Sequence, residues 1–590
     1  MATKAGPDGK KLVNVNLKHF EEPRSYRHAC TVEDAEQWIA ATWEEVNSII
    51  NFGVIEPCEL KDIPPDANIV DTKLVYKLKR NADGSIDKRK ARLVARGFTQ
   101  EYGKDYVDTF APVSDLLTIR LVLLLALIFS LIVKHVDVKC AFLNSVLSYD
   151  IYLKLPNGFN IGGMQYGKAK KSIYGLKQAA HDWHQLQHKF IMGFDKRLQR
   201  SSVDPCLYYI FITGGLIAFI STHVDDYVIA TNDINWYNDF YTAFAALYEV
   251  KELGAVTNLL QMGIEFTESQ VSLSQHRQIE ELAKEYRLTE AKPMYSPMEA
   301  GLKLTKLPNT EVAFHLPFRQ LLGALLWLAR CTRPDIYYSV IYLSQFTNCY
   351  GEQHYKALKR ILRYLITTKN YKLTYTRPPS ASVTASPDLR AFTDSDWANN
   401  PEDRKSVTGY AVFMYDNLLA WGSRRQNTIA LSSAEAEYYA MTDGIKELLH
   451  IQNTMSEFLP VGLPMPLEVD NKGAGYMAEN DINNKRTKHI DIRYHFIRNH
   501  IADKTVELFY IETNNNIADI FTQALPVPAF VRFAKRLLGL TADVFLPVWP
   551  RHSVCTVCQK GRCYDDCLKL KQGASSSTST DYSAKFCTHV

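Results

Sequence analysis

The sequence predicts a mixed α/β (α+β) chain of several domains, and three observations lead there. At 590 residues the chain is too long for one hydrophobic core, which argues for roughly three to five units of about 100 to 200 residues. Alternating, strand-like segments bounded by turn residues fill much of the first half, and one apolar hairpin there carries an Asp pair. A second series of strands and helices begins near residue 388, after a Pro/Ser-rich stretch.

Taken in order, residues 1–30 are a polar leader containing Gly6-Pro7-Asp8-Gly9. No apolar run or small-residue cleavage site follows its lysines, so a secretory signal is not expected and a cytoplasmic setting is. Thr31 to Asp34 reads as a capping box before a helical pattern over Ala35 to Ile50. From Ile69 to Arg80 apolar and polar residues alternate, Asn81 to Gly84 makes a turn, and Lys90 to Phe98 returns, which describes a β-hairpin. Between Lys73 and Arg96 nine Lys or Arg face two acids, Asp83 and Asp87. Such a basic arm attracts phosphates, although a solvated hairpin face has the same composition. The net charge of +4 on the whole chain adds nothing to that reading.

The apolar run Leu121 to Val133 spans 13 residues, short of the ~18 that a membrane span needs, so it predicts a buried helix and no membrane partner. A strand then ends at Asp137, and Gly215 to Ala230 is apolar on both sides of Asp225-Asp226. Adjacent acids in an apolar hairpin break the burial rule, and such breaks fall where function sits. Pro293, Pro297, Pro308 and Pro317 punctuate a connecting segment with helices over Leu321 to Arg330 and Tyr355 to Thr367. Beyond Pro387 come strands at Leu389 to Asp394, Gly409 to Tyr415 and Leu418 to Gly422, a helix from Ser433, and a strand at Leu467 to Asp470. Ser575 to Thr580 has a disordered composition. The divisions expected are 1–30, 31–290, 291–387, 388–526 and a Cys-rich tail, 527–590.

Nucleotidyl transfer by two divalent ions needs convergent carboxylates, and Mg²⁺ prefers such hard oxygen ligands. Asp137, Asp225 and Asp226 would supply them if their strands are neighbours. Asp pairs in turns and a lone Asp after a strand are also ordinary, so these residues alone leave both readings open.

Six further stretches occur in a set order: Lys90-Ala-Arg-Leu-Val-Ala-Arg-Gly-Phe-Thr-Gln100, Asp105-Tyr-Val-Asp-Thr-Phe-Ala-Pro-Val113, Asp137-Val-Lys-Cys-Ala-Phe-Leu-Asn144, Ser172-Ile-Tyr-Gly-Leu-Lys-Gln178, Asp204-Pro-Cys-Leu-Tyr208 and Val224-Asp-Asp226. In this order they resemble the copia-type retrotransposon reverse transcriptases. The resemblance implies a right-hand polymerase fold of fingers, palm and thumb, followed by a connection segment and an RNase H-like α/β domain. It implies that Asp137, Asp225 and Asp226 hold two Mg²⁺ (or Mn²⁺) ions and that Phe142 lies under the sugar and excludes a 2′-hydroxyl. Core packing is the equal alternative for Phe142. Tyr174 and Gly175 would line the nucleotide and template pocket, and Lys90 or Arg92 would meet the incoming triphosphate.

Thr393-Asp-Ser-Asp-Trp397, Leu431-Ser-Ser-Ala-Glu-Ala-Glu437, Val469-Asp-Asn471 and Ile517-Ala-Asp-Ile520 resemble the same family's RNase H motifs. Asp394, Glu437, Asp470 and Asp519 then form a second two-metal site, directed at RNA in an RNA–DNA hybrid. Glu435 competes with Glu437, since residues two apart point about 200° apart on a helix. Small residues at Ala440 and Gly444 on its face favour Glu437, and Asp396 is the fallback for Asp394. The segment Arg486 to Arg498 also matches, and its cations could hold the hybrid backbone.

The implied activity is RNA-directed DNA synthesis with hybrid RNA cleavage. Its partners would be an RNA template, a DNA primer, the RNA–DNA hybrid and dNTPs, in a cytoplasmic or virus-like-particle setting with nuclear entry. Two departures, His223 where the family has Tyr and Ala180 where it has Pro, and the lack of a match to capsid, protease or integrase parts, keep open an inactive relic that only binds nucleic acid. In the tail, Cys555, Cys558, Cys563 and Cys567 have a spacing compatible with one tetrahedral Zn²⁺ site, against a tail with no evolved role.

Overall fold

The expected basic hairpin forms from strands Ile69–Arg80 and Ile86–Ala95, paired antiparallel with Thr72 opposite Ala95. It is the edge of a five-stranded sheet completed by Val146–Lys154, Tyr166–Lys171 and Ile55–Cys58. Helix Ala35–Asn51 buries Trp38, Val46 and Ile49 against it. This computed structural model describes residues 22–80, 86–308, 311–379, 386–399, 402–479 and 491–540, all within one unit that ends at Leu540.

Two local expectations need correction. The capping box at Thr31 does not form: the Thr31 hydroxyl donates to His28 O at 2.9 Å. Asp34 is the N-cap residue but makes no cap bond; its carboxylate instead accepts from Arg89 Nε at 2.5 Å, because a guanidinium is a stronger partner than a backbone amide. The buried apolar helix is real but starts earlier, spanning Leu116–Ile128 with Asp115 capping Leu117 N at 2.9 Å. The chain turns through Ser130, with φ of 56°, so Ile132 and Val133 open the next strand.

That strand, Ile132–Val138, lies inside a six-stranded sheet. Asp226–Thr231 runs antiparallel beside it and pairs on its other edge with Ile217–His223. Helices Ala179–Phe194 and Ile234–Ala245 cover the sheet through Trp183, Ile191, Phe240 and Phe244.

The connecting segment is a helical layer, Phe318–Cys331, Tyr337–Ser344 and Glu352–Thr367. Its buried charge is fully paired: Arg333 meets Asp335 at 2.7 Å, and the Tyr364 hydroxyl donates to the same carboxylate at 2.5 Å. Strand Leu373–Thr376 then joins the sheet of Met262–Phe266 and Gln270–Ser274, so the segment is tied to the chain before it by backbone pairing.

The last sheet has the order Asn417–Arg425, Val407–Met414, Leu389–Asp396, Met465–Val469, Val506–Tyr510. Its first three strands are antiparallel and its last two parallel to the third. Helix Ser433–Ser456 crosses it, and Gly444 allows the approach, since a Cβ there would sit 2.4 Å from Thr393 Cγ2. From residue 527, grouped above with the tail, the chain first forms a packed helix, Val527–Leu537. Its Phe530, Phe533 and Leu537 are buried.

Polar and apolar contacts join this last layer to the first half. Glu457 accepts from the Ser202 amide and hydroxyl at 2.7 and 2.6 Å, and Phe458 packs on Tyr209, Phe211 and Phe219. Among the described residues no helix is long and apolar enough to cross a membrane.

Candidate active sites

Asp137 and Asp226 are register partners across two hydrogen-bonded strands. Asp225 lies in the turn before Asp226, where Val224 has φ of 61°. A β-branched residue in the left-handed region is strained and persists only where its surroundings over-determine it. Here they do: the Trp183 indole N–H donates to Val224 O at 2.6 Å, and Val138 N–H donates to Asp225 O at 2.9 Å. The three acids predicted from sequence therefore arrive at one place.

Burial raises the carboxyl pKa of Asp137, and the Asp226 charge raises it further. Asp225 is raised by burial and then by Asp226. His135, two residues before Asp137 and on the same strand face, places Nε2 2.9 Å from Asp226 Oδ1. Sequence reasoning missed His135, and the signal for it was the two-residue period of a strand.

The residues expected to form a pocket contact one another. Phe142 packs edge-on to Tyr174, with ring centroids 5.1 Å apart. It packs against the cores of both sheets and is half-buried. The Arg92 guanidinium lies 4.5 Å over the Tyr174 ring, and burial pushes the Tyr174 hydroxyl up to about 12. Burial lowers the Lys90 ammonium, as do Arg92 and Lys79 beside it. Lys90 acts electrostatically on Asp137 and Arg92 on Asp225, so the basic hairpin faces the acids.

Gly175 sits where backbone touches backbone. Its φ is 91°, and a Cβ would lie 2.2 Å from Ala95 O. Ala95 N–H in turn donates to Tyr174 O at 2.8 Å. Unpredicted polar contacts extend this junction: Lys177 N–H donates to Gln100 Oε1 at 2.8 Å and Gln100 Nε2 to Gln178 Oε1 at 3.1 Å.

In the last domain, Asp394 lies within the strand Leu389–Asp396, Glu437 on the crossing helix, and Asp470 just after the fourth strand. One oxygen from each lies within 4.8 Å of the others, the sole such triple of metal-ligand type among the described residues. Asp137, Asp225 and Asp226 stand further apart than this. Asp519, outside the triple, shares a hydrogen bond with Asp394 and accepts from Gln523 Nε2 at 3.2 Å. The Thr522 hydroxyl donates to Asp394 Oδ2. Burial raises Asp394 and Glu437 far above the carboxylate range, and the other acids add to it. Burial raises Asp470 and Asp519 as well.

The structure separates the competing glutamates. Glu435 accepts from Leu431 N–H at 2.7 Å at the helix start, where Ser432 caps Glu435 N at 3.2 Å. Glu437 points inward, accepts from Ser395 N–H at 3.2 Å, and leaves Oε2 buried with no partner. Asp396 is outside the triple and lines a cleft of about 560 Å³ with Lys303, Tyr338, Lys405 and Arg425. Burial pushes its carboxyl up to about 6. Arg493 stacks 3.9 Å from the Tyr439 ring. Residues 480–490, with Arg486 and Lys488, and the cysteines at 555, 558, 563 and 567 lie outside the described residues.

Hard carboxylate oxygens, mutually repelling and in the nuclease-type set partly unsatisfied, fit divalent cations of the Mg²⁺ class. The orphaned Glu437 Oε2 within a close-set triple is the observation that passes this test.

The family model for reverse transcriptase (RNA-dependent DNA polymerase) matches residues 56–300. The chain is 32% identical over 539 residues to the retrovirus-related Pol polyprotein from transposon TNT 1-94 of Nicotiana tabacum, covering 90% of this chain and 40% of that protein. It is 33% identical over 541 residues to the polyprotein from transposon RE1 of Arabidopsis thaliana, covering 91% of this chain and 36% of that protein. The chain thus spans about two fifths of the length of these relatives. Among solved structures, the foamy viral protease-reverse transcriptase in complex with double-stranded DNA aligns over 80% of this chain and 69% of its own, at 10% identity and a TM-score of 0.44.

Proposed function

The chain belongs to the copia-type retrotransposon Pol polyproteins, in their reverse transcriptase and RNase H region, and from that premise we propose that it copies RNA and DNA templates into DNA and cleaves the RNA of the resulting hybrid. The observation that carries the polymerase half is the junction of Asp137, Asp225 and Asp226 with the inward face of the basic hairpin. Acids alone would repel a triphosphate, and cations alone would bind one without reaction.

In this reading Asp137, Asp225 and Asp226 would hold two Mg²⁺ ions at the polymerase site, and Asp394, Glu437, Asp470 and Asp519 two more at the nuclease site. Bound there, such ions supply Lewis acidity, activating the attacking oxygen and neutralising charge on the leaving oxygen. The chain's own side chains do the rest. Lys90 and Arg92 meet the triphosphate oxygens, Arg92 being oriented by its stack on Tyr174. Phe142, braced edge-on by Tyr174, limits the space beneath the sugar. His135 holds Asp226 Oδ1 and so fixes the direction of one carboxylate. At the nuclease site Ser395 N–H and the Thr522 hydroxyl orient Glu437 and Asp394.

Purified chain extending an oligo(dT) primer on poly(rA) tests the first half, with Asp225→Asn losing extension. Release of labelled RNA from a hybrid, lost in Asp394→Asn while extension persists, tests the second. No extension at any Mg²⁺ or Mn²⁺ concentration would sink the polymerase reading.

A further inference from the structure

Two fully buried polar side chains, Asn516 and Thr522, bracket the short turn Ile517–Phe521 that carries Asp519. The Thr522 hydroxyl meets Asp394 Oδ2 and lies 3.1 Å from Asp519 O. Asn516 has the wider reach. Its Oδ1 accepts from Ala518 N–H at 3.1 Å, and its backbone carbonyl accepts from Asp519 N–H at 3.3 Å. Its Nδ2 donates to Thr393 O at 2.9 Å, one residue before Asp394. A side-chain hydrogen bond also joins Asn516 to the Asp470 carboxyl.

The strand pairing explains why a side chain is needed at this point. The parallel ladder between Leu389–Asp396 and Met465–Val469 is registered at Ala391 and Phe392. Past it the two strands lead to Asp394 and Asp470, whose carboxylates need room, and the Thr393 carbonyl accepts from Asn516 in place of a ladder amide. Asp or Ser would cap the turn as well as Asn does. A carboxylate, however, has no proton to donate, and a hydroxyl on a one-carbon stem does not span both partners, whereas one amide accepts from Ala518 and donates to Thr393 at once. Space for the turn comes from Gly409, the register partner of Asp394. A Cβ there would lie 2.9 Å from Ala518 O and 2.7 Å from Thr522 Cγ2.

We propose that Asn516 is a positioning residue for the nuclease site: by tying the Asp519 turn to the strand of Asp394, it holds Asp519 where it can join Asp394, Glu437 and Asp470 as a ligand to divalent cations. The inference rests on the nuclease reading above. Asp519 lies outside the close-set triple and in a turn rather than a strand, so no backbone ladder fixes its place. The Asn516 amide and the Thr522 hydroxyl do so instead, as outer partners that orient a ligand set.

Asn516→Ser separates capping from positioning, because Ser still accepts from Ala518 N–H but does not reach Thr393 O. In hybrid cleavage, N516S should raise the Mg²⁺ concentration for half-maximal rate about tenfold or more. The KM for hybrid should be unchanged, since the residue is fully buried. A readout without turnover is the Mg²⁺ dependence of the melting temperature, taken on the Asp225→Asn chain to weaken the polymerase site; its midpoint should move to higher Mg²⁺ by a like factor. Gly409→Ala pushes the turn off the strand without altering Asn516, so it should shift both midpoints the same way, and it decides if N516S does not fold. Wild-type Mg²⁺ midpoints in N516S overturn the inference, as does a lower rate with unmoved midpoints, the sign of a merely structural loss. Cleavage by the wild-type chain with N516S unchanged overturns this inference alone, whereas a wild-type chain that cleaves no hybrid at any Mg²⁺ or Mn²⁺ concentration overturns the nuclease reading with it.

Discussion

Arg120 is the one charged residue in the apolar helix Leu116–Ile128, and it is buried. Its guanidinium donates to Leu419 O and Cys331 O at 3.2 Å each, and also to Arg330 O. It stacks 4.0 Å from the Trp421 ring. One side chain therefore joins the polymerase half, the end of a connection helix and the nuclease sheet. Arg120→Met keeps the length and the apolar stem but orphans three carbonyls, at about 1 kcal/mol each or more, and loses a desolvated cation–π contact of about 1 to 2 kcal/mol. Against that, burial already disfavours the charged form, and relief of that desolvation returns about a third of the loss, leaving a net destabilisation of about 3 kcal/mol. Tryptophan fluorescence during thermal and urea unfolding reads this directly, because Trp421 is the stacking partner. The expected result is a lower midpoint with the nuclease and polymerase halves unfolding in separate steps. Arg120→Lys should be intermediate, since one ammonium cannot serve three acceptors and the ring together. R120M that unfolds within about 1 kcal/mol of wild type, in a single step, refutes the idea that this residue couples the layers.

Gly175→Ala forces a Cβ to within 2.2 Å of a backbone oxygen at a φ of 91°. It should lose at least 2 to 3 kcal/mol in urea unfolding and raise the dNTP KM, as Tyr174 shifts from under Arg92. Glu437→Gln should abolish hybrid cleavage and leave primer extension intact, whereas Glu435→Gln should lower stability by about 1 kcal/mol or less, through the helix start, and still cleave; equal cleavage by the two variants counts against the assignment. The nuclease acids also predict a pH slope. Folded-state values raised above those of the unfolded chain stabilise the fold fully below about pH 4 and lose that contribution as pH rises through the folded values. The melting temperature in EDTA should therefore fall as pH is raised from 5 to 8.5, and Mg²⁺ should restore most of it at the upper end; a curve unaffected by Mg²⁺ would contradict the assignment of these residues as ligands.

What was legible in the sequence followed short-range rules. The hairpin strand Ile69–Arg80 fell where alternation put it, and Asp137, Asp225 and Asp226 met because Asp137 lies near the end of one strand and the other two at the turn that opens its neighbour. The apolar run was legible as buried but not in register, since Leu121 to Val133 contains a turn at Ser130 that hydropathy does not mark. Thr31 had the letters of a capping box, yet Arg89, 55 residues away from Asp34, drew off the acid that the box needed. Glu435 and Glu437 could be separated only weakly by the small residues Ala440 and Gly444, whereas the structure separates them by what each carboxylate accepts. Arg120 was illegible because its role rests on a partner 299 residues away, whereas His135 carried a signal in the two-residue period of its strand and only its partner, 91 residues away, was hidden.

The two acid sets solve the same electrostatic problem differently, and that difference explains how each appears in sequence. Asp394, Glu437 and Asp470 are gathered within 4.8 Å in the interior, where mutual repulsion and burial act together and proton uptake is the relief available to an ion-free chain. Such a site needs four separate segments in register, so no single motif identifies it. Asp137, Asp225 and Asp226 stand further apart at a sheet end, and their relief comes from side chains facing them: His135 on Asp226, Lys90 near Asp137 and Arg92 near Asp225. Under the proposed function those cations also meet the triphosphate, so they cannot be fully committed to the acids.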